Sequence, residues 1–240
     1  MRRFQLYAVC GALLGMLLLT LWLAGRLSFA PATSPSWPLQ TAYEYGLARV
    51  LVMNAQIREG RPGYVFLAGD SHAELFGARL PCDRDLINGG VSGAKIDVYR
   101  RVADQLEFVV PPGVIFLVIG TNDLFRKHHP LKPESLLEFE DDAEVLVRRL
   151  ASSTSRLIVT AIPPIGEGGG ALFETGAVQL YSERLAALCG RLGCEYVDAF
   201  AGLRSAKFGV AKPGMTLSHV PTHLQSYVDA YKGIAPRLCS

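Results

Sequence analysis

The sequence predicts an α/β fold, in which a parallel sheet of about five strands carries helices on both faces and follows one N-terminal transmembrane helix. Two patterns predict the sheet and its helices. Short apolar runs alternate with segments whose apolar residues recur at spacings of three and four, the period of a helix with one buried face. Strands that alternate with helices favour parallel pairing through right-handed crossovers. A third pattern, an uncharged stretch near the N-terminus, predicts the membrane segment.

The N-terminal segment, residues 1–30, is predicted to be a membrane anchor. Arg2 and Arg3 precede an uncharged, mostly apolar run over residues 6–25, which is long enough to cross a bilayer as one helix. Because basic residues stay on the cytoplasmic side, the rest of the chain would face the periplasm from the inner membrane. The alternative is a signal peptide cleaved near residues 30–32, which would release a periplasmic or secreted protein. The apolar run is long for a signal peptide, which favours the anchor.

Residues 31–60 are predicted to form a linker and a leading helix, and residues 61–240 the main domain. The linker is rich in proline and serine up to about residue 40. Five apolar runs in the domain predict strands, at residues 64–68, 85–88, 114–119, 157–161 and 195–197. Helical spacing predicts one amphipathic helix over residues 133–150 and another whose buried stripe runs over residues 178–192.

The charge of the domain argues against nucleic acid as a partner. The chain has 24 Lys and Arg against 22 Asp and Glu, a formal net charge of +2. Three of the basic residues, and no acidic one, lie within the first 26 positions, so 21 basic residues face 22 acidic ones in the remainder. A nearly neutral body without a basic stripe lacks the electrostatic footprint of a nucleic-acid-binding protein.

The cysteines predict neither a metal site nor a redox motif. Cys10 lies in the predicted anchor, and the other four, in an exported domain, have the opportunity to form disulfides: Cys82, Cys189, Cys194 and Cys239. Their spacing does not match C-x-x-C, and no histidine cluster accompanies them. We therefore expect one disulfide or none.

Three short segments that follow strand candidates contain the groups of an acyl-transfer site. They are Gly69-Asp70-Ser71, Val91-Ser92-Gly93 and Gly120-Thr121-Asn122-Asp123. Because the carboxyl ends of parallel strands meet at one edge of a sheet, the three segments are expected to lie together. They supply a hydroxyl nucleophile, a backbone donor beside a glycine and a side-chain amide donor, which is what a tetrahedral acyl intermediate requires.

In these segments the chain resembles the SGNH hydrolases, also called GDSL esterases and lipases, over roughly residues 64–238. The resemblance implies a three-layer α/β/α sandwich, flavodoxin-like in outline, and hydrolysis of esters or thioesters. It implies that Ser71 is the nucleophile and that the N–H groups of Ser71 and Gly93, with the side-chain amide of Asn122, hold the oxyanion. A helix starting near His72 would direct its positive end at the serine oxygen. Asp70 is expected to accept hydrogen bonds from local backbone.

The resemblance identifies His223 as the general base, but without its usual acid. The family carries Asp-x-x-His before a final helix, and His223 precedes a stripe of apolar residues that predicts such a helix: Leu224, Tyr227, Tyr231 and Leu238. The residue three positions before His223 is Val220, and the one three positions before His219 is Thr216. Neither histidine therefore has the family's aspartate.

Three explanations of the missing acid are open at this point. The enzyme works as a Ser71–His223 dyad with a backbone carbonyl orienting the imidazole, or the fold brings another carboxylate to His223, or the site has decayed into a binding module. The candidate carboxylates are Asp198, Asp229 and Glu74. A dyad is chemically reasonable, because a catalytic triad that loses its acid becomes slower but is still assisted by its remaining groups.

The expected function is hydrolysis of an O-acyl ester, acetyl above all, on an envelope glycan or lipid. The alternatives are an O-acetyltransferase for an exported polysaccharide and a non-catalytic module that binds glycan or acts as a scaffold. No metal or organic cofactor is expected. Residues 166–171 fit G-x-G-x-x-A, but two prolines precede them and no acidic partner follows. They are expected to form a loop that shapes the substrate pocket rather than a dinucleotide site.

Overall fold

The computed structural model describes residues 41–77, 80 and 82–240. The predicted membrane anchor and the linker up to residue 40 lie outside the described residues. Within the described part of the chain, no helix combines the length and the apolar character needed to cross a membrane.

A single parallel sheet forms the centre of the domain, as predicted. Its strands are β1 (Val65–Gly69), β2 (Leu86–Gly90), β3 (Val114–Val118), β4 (Leu157–Thr160) and β5 (Glu195–Val197), in the order β2-β1-β3-β4-β5. Every neighbouring pair is parallel. In this order the connections reverse direction between β1 and β3, and open α/β sheets bind ligands at the carboxyl ends of the strands at such a point.

Seven α-helices connect and cover the strands within the described residues. They are α1 (Ala42–Glu59), α2 (Ser71–Glu74), α3 (Ile96–Ala103), α4 (Pro133–Ala151), α5 (Thr175–Leu192), α6 (Tyr227–Tyr231) and α7 (Ala235–Cys239). Local sequence explains their ends. Thr41 and Glu44 form a capping box at the start of α1, Pro133 occupies the first turn of α4, and Gly193, at φ 77°, ends α5.

The strands β1, β3 and β4 are buried on both faces, so their sequences show no polar alternation. Along β1, Phe66 and Ala68 join the larger core with residues of α1, α3, α4 and α5. Val65 and Leu67 point to the other face and join a smaller core with residues of α2, α6 and α7. The domain is therefore a three-layer α/β/α sandwich.

The C-terminal region differs from the single final helix that the sequence predicts. It forms the two short helices α6 and α7, and Leu224 precedes α6 instead of starting a helix. Pro236 lies in the first turn of α7, where its missing N–H is tolerated, and it cannot continue a helix from α6. The apolar residues Leu224, Tyr231 and Leu238 are nevertheless buried in the smaller core.

The expectation of one disulfide or none is wrong, because the structure contains two. Cys82 pairs with Cys239, and Cys189 pairs with Cys194. The first bond joins residues 157 positions apart and ties α7 to the segment before β2. Chain folding, rather than spacing, brings these two cysteines together. Among the described residues, no cluster of His, Cys, Asp and Glu is arranged to hold a metal ion.

Candidate active site

The nucleophile candidate Ser71 lies at a tight turn between β1 and α2. The turn starts at Gly69, where φ is +132° and a β-carbon would lie 1.7 Å from the carbonyl oxygen of Val118. Asp70 is the N-cap of α2, because its carboxylate accepts from the N–H of His72. Ser71 is the first residue of the helix instead of its cap, so its hydroxyl is available for chemistry.

His223 is the histidine that the structure brings to Ser71. Its Nε2 lies 3.1 Å from the Oγ of Ser71, within hydrogen-bonding distance. A tight loop presents the ring: the N–H of His223 donates to the carbonyl of Val220, and its own carbonyl accepts from Leu217. His219, the other candidate, is exposed on this loop. The nucleophile–base pair that acyl transfer requires is therefore assembled from residues 152 positions apart.

The three predicted oxyanion donors border the same edge of the sheet. Ser71, Gly93 and Asn122 follow β1, β2 and β3, which are neighbouring strands. Among the described residues, the N–H groups of Ser71 and Gly93 have no hydrogen-bond acceptor. The amide of Asn122 donates one hydrogen to the carbonyl of Ala94, at 3.0 Å, and has a second to offer. The bond to Ala94 also ties the Asn122 loop to the Gly93 loop.

Asn88 is a site residue that the sequence analysis did not single out. Its amide nitrogen lies 2.9–3.2 Å from the carbonyls of Ala73, Glu74 and Phe76, and its oxygen accepts from the N–H of Gly90. Asn88 therefore holds the end of the nucleophile helix against the end of β2. The available signal was a polar residue inside a predicted strand, directly before two glycines.

Two buried carboxyl groups hold the loops of the site together by accepting hydrogen bonds from the backbone. Asp70 accepts from the N–H groups of His72 and Thr121, and Asp123 accepts from the N–H of Ile96. The role expected for Asp70 is thus the one the structure shows. Burial raises the pKa of Asp70 to about 7 and that of Asp123 to about 8, because an ionised carboxylate is poorly solvated there.

None of the three candidate carboxylates supports His223. The reason is the same for each: another partner already holds it. Asp198 pairs with the buried Arg204, Asp229 pairs with Lys232, and Glu74 contacts Tyr45, Arg49 and the N–H of Ser92. Among the described residues, no carboxylate forms a hydrogen bond or an ion pair with His223. These three proposals for a relocated acid are therefore wrong.

His72 lies beside His223, and Tyr227 in turn contacts His72. The ring of His72 is fully buried and meets the ring of His223 edge-on, with 5.9 Å between the ring centres. Its Nδ1 lies 3.2 Å from the hydroxyl of Tyr227. Burial, with a smaller contribution from His223, lowers the pKa of His72 to about 3, so this ring is neutral at physiological pH. Burial also lowers the pKa of His223 from its usual value.

The glycine-rich segment lies against the loop that carries His223. Residues Glu167–Ala171 form a 3-10 helix, and the N–H of Gly166 donates to the carbonyl of Pro221 at 2.7 Å. A β-carbon on Gly166 would come within 2.1 Å of the Thr216 hydroxyl. Glycine is therefore required there for close packing of two loops beside the site.

A polar cavity lies behind the Asn122 loop. Its volume is about 350 Å³, and charged or polar groups form much of its wall, among them Lys95, Asp97, Asp123, His128 and Asp142. Such a wall suits a hydroxyl-rich molecule better than a long acyl chain.

The model of the GDSL-like lipase/acylhydrolase family matches residues 42–219. No curated protein matches the chain.

Solved structures share the fold at low sequence identity. A Streptococcus pneumonia protein whose name refers to platelet activating factor is 19% identical, with a TM-score of 0.65, and the match covers 80% of this chain and 93% of that one. A GDSL-like lipase from Bacteroides thetaiotaomicron is 13% identical, with a TM-score of 0.62 and coverages of 82% and 98%. An acetyl xylan esterase from Geobacillus stearothermophilus is 17% identical, with a TM-score of 0.54 and coverages of 73% and 92%.

Proposed function

Because the chain belongs to the GDSL-like lipase/acylhydrolase family, and is therefore an enzyme that hydrolyses ester bonds, we propose that it removes an O-acyl group from an envelope glycan or lipid through an acyl-enzyme on Ser71. The observation that carries the proposal is the 3.1 Å separation of the Ser71 Oγ from the His223 Nε2. A serine hydroxyl becomes a competent nucleophile when a neutral imidazole accepts its proton in the transition state.

Acylation begins with attack of the Ser71 oxygen on the ester carbonyl carbon. The serine proton passes to Nε2 of His223, and the carbonyl oxygen becomes an oxyanion. The N–H groups of Ser71 and Gly93 and the free amide hydrogen of Asn122 stabilise this charge. His223 then returns its proton to the leaving alcohol oxygen, the ester C–O bond breaks, and the acyl group stays on Ser71.

Deacylation repeats these steps with water as the nucleophile. Water replaces the departed alcohol, His223 takes one of its protons, and the hydroxide oxygen attacks the acyl carbon. The same donors hold the second oxyanion. Collapse of this intermediate releases the carboxylic acid, and Ser71 recovers its proton from His223.

His223 is proposed to work as one member of a dyad. No carboxylate pairs with it among the described residues, and burial lowers its pKa, so at a given pH more of this base is neutral than of a free imidazole. The neutral ring of His72 packs at its edge and limits its rotation without adding a positive charge. Packing against His72 thus orients the ring of His223, a role that a hydrogen-bonded aspartate has in a catalytic triad.

We favour an acetylated glycan as the substrate class. We also propose that the N-terminal segment anchors the protein in the inner membrane. One structural relative is named as an acetyl xylan esterase. The polar cavity behind the Asn122 loop is lined by Asp123 and His128 but by none of the four catalytic residues, so it would hold a hydroxyl-rich part of the substrate away from the reacting ester. The apolar run of residues 6–25, preceded by two arginines, supports the anchor.

Labelling and hydrolysis measured on the same preparation test the proposal. A fluorophosphonate should modify Ser71, as peptide mapping by mass spectrometry would show, and p-nitrophenyl acetate should be hydrolysed. Ser71→Ala should lose both, and His219→Ala, at an exposed position of the same loop, should keep both. Labelling together with p-nitrophenol release that needs an added sugar acceptor, and that yields the acetylated sugar instead of acetic acid, would favour the acetyltransferase. A folded protein that shows neither would favour the non-catalytic module.

A further inference from the structure

An apolar stripe runs along the outer face of α1. It consists of Leu47, Ala48, Leu51, Val52 and Ala55, all of them exposed, and is called the α1 stripe below. The exposed fractions are 75% for Leu51, 58% for Val52 and 38% for Leu47. Single exposed apolar residues are common, but five neighbours on one helix face form a contiguous patch.

The opposite face of α1 is already buried, so the helix is apolar on both sides. Val50, Met53 and Ile57 point into the larger core. Arg49, between the two faces, directs its guanidinium inward, to the carboxylate of Glu74 and the carbonyl of Asn88. Between Glu44 in its first turn and Arg58 and Glu59 in its last turn, α1 therefore carries an uncharged apolar stripe on the face where a surface helix usually presents polar residues to water.

The chain before α1 indicates which environment this is. The uncharged run over residues 6–25 ends only about 16 residues before α1 begins, and that length of chain spans at most about 55 Å when fully extended. An anchored chain therefore keeps α1 near the bilayer. We propose that the α1 stripe lies in the interfacial region of the membrane that holds the N-terminal segment. This rests on the proposed anchor, and not on the catalytic mechanism.

A second copy of the chain fits the stripe less well than a bilayer does. The stripe spans nine residues, roughly 13 Å of helix. Stable protein interfaces bury about 800 Å² on each partner, which is far more than five side chains on two turns provide. A membrane surface needs no matching shape and accepts a small apolar patch next to an existing anchor.

The position of α1 gives this contact a consequence for the substrate. Ala42, the first residue of α1, lies beside the oxyanion loop, since a β-carbon on Gly93 would be 3.6 Å from the β-carbon of Ala42. Seating the stripe in the interface therefore holds the catalytic edge of the sheet close to the membrane surface. The substrate class that follows is an ester on a molecule held in the membrane, such as a lipid-linked glycan.

Spin labelling of the full chain tests the contact directly. A nitroxide is attached at Leu51→Cys in a Cys10→Ala background, since the other four cysteines form disulfides, and the protein is reconstituted in phosphatidylcholine–phosphatidylglycerol vesicles. The matched control is Leu137→Cys on α4, a leucine of comparable exposure. A label at Val52→Cys provides an independent second position on the stripe.

The expected result is a severalfold higher ratio of collisions with oxygen to collisions with a water-soluble nickel chelate at positions 51 and 52 than at 137. Equal ratios would overturn the proposal. Protection from both reagents would overturn it as well, because protein and not lipid would then cover the stripe. Dipolar broadening that disappears on dilution with unlabelled chain would identify that protein as a second copy.

Kinetics separate this proposal from the esterase assignment. Leu51→Glu should lower kcat/KM for an acetate ester of a nitrophenol that carries a long alkyl chain embedded in vesicles, and leave hydrolysis of soluble p-nitrophenyl acetate unchanged. Leu137→Glu should change neither. A full chain that does not float with vesicles would refute the anchor and the membrane contact together, while hydrolysis of the soluble ester would still stand or fall on its own.

Discussion

Substitution of Asn122 by alanine should separate transition-state stabilisation from stability of the fold. The side chain donates one amide hydrogen to Ala94 and is proposed to offer the other to the oxyanion. Loss of an oxyanion donor lowers kcat by about 10²–10³-fold, equivalent to about 2.7–4 kcal/mol. Loss of the hydrogen bond to Ala94 should cost about 1 kcal/mol of stability. For a body of this size, that corresponds to a fall in melting temperature of roughly 2–4 °C.

Asn54→Ala is the matched control for this experiment. Asn54 is buried in α1, where it donates to the carbonyl of Gln105 and accepts from the N–H of Glu107, away from the sheet edge that holds the site. It should lower the melting temperature at least as much as Asn122→Ala and leave kcat nearly unchanged. Steady-state hydrolysis of p-nitrophenyl acetate and thermal denaturation measure the two effects. If both variants keep kcat within a few-fold of wild type, Asn122 does not hold the oxyanion.

Three further results are expected from steady-state kinetics and thermal denaturation. His223→Ala should lower kcat/KM by about 10²–10⁴-fold, as loss of a general base does, and His219→Ala should have little effect; similar losses would mean that the base is wrongly assigned. In the wild type, kcat/KM should rise with pH through a pKa below about 6.5, because burial lowers the pKa of His223; a rise centred above 6.5 would indicate a carboxylate partner. Asp123→Asn should flatten the fall in melting temperature between pH 5 and pH 8. The pKa of Asp123 is raised from 3.8 to about 8, so the folded chain holds a proton that the unfolded chain releases, and stability falls as pH rises through this window. Parallel curves for the two proteins would contradict this.

Most of the fold was predictable because burial on both faces leaves a strong trace in the strand sequences. The five apolar runs became the five strands, with ends displaced by at most two residues, since hydrogen-bonded pairing and not hydropathy sets where a strand stops. β2, for example, continues through Gly89 and Gly90, which pair with β1 although they have no apolar side chains. The single final helix was mispredicted because Leu224, Tyr231 and Leu238 can share one buried face without sharing one helix.

The roles of charged residues were less predictable, because a carboxylate's partner is a matter of three-dimensional distance. Asp198, at the end of β5, had the right place in the chain for a relocated acid, but Arg204 holds it through two hydrogen bonds. The disulfide between Cys82 and Cys239 was equally unpredictable, since the two residues are 157 positions apart in the chain. Asn88 was overlooked because its three carbonyl partners are created only when α2 forms beside β2.

The sequence by itself determined the parallel sheet, the three segments that supply Ser71, Gly93 and Asn122, and the preference for His223 as the base. These follow from local patterns: apolar runs, a serine or an amide directly after a strand, and a histidine before an apolar stripe. Only the tertiary structure decided that His223 meets Ser71 at 3.1 Å, and that no carboxylate from the described part of the chain pairs with it. The physical reason is that a proton moves only between groups in contact, and packing of the C-terminal segment against the sheet, not spacing along the chain, brings them there.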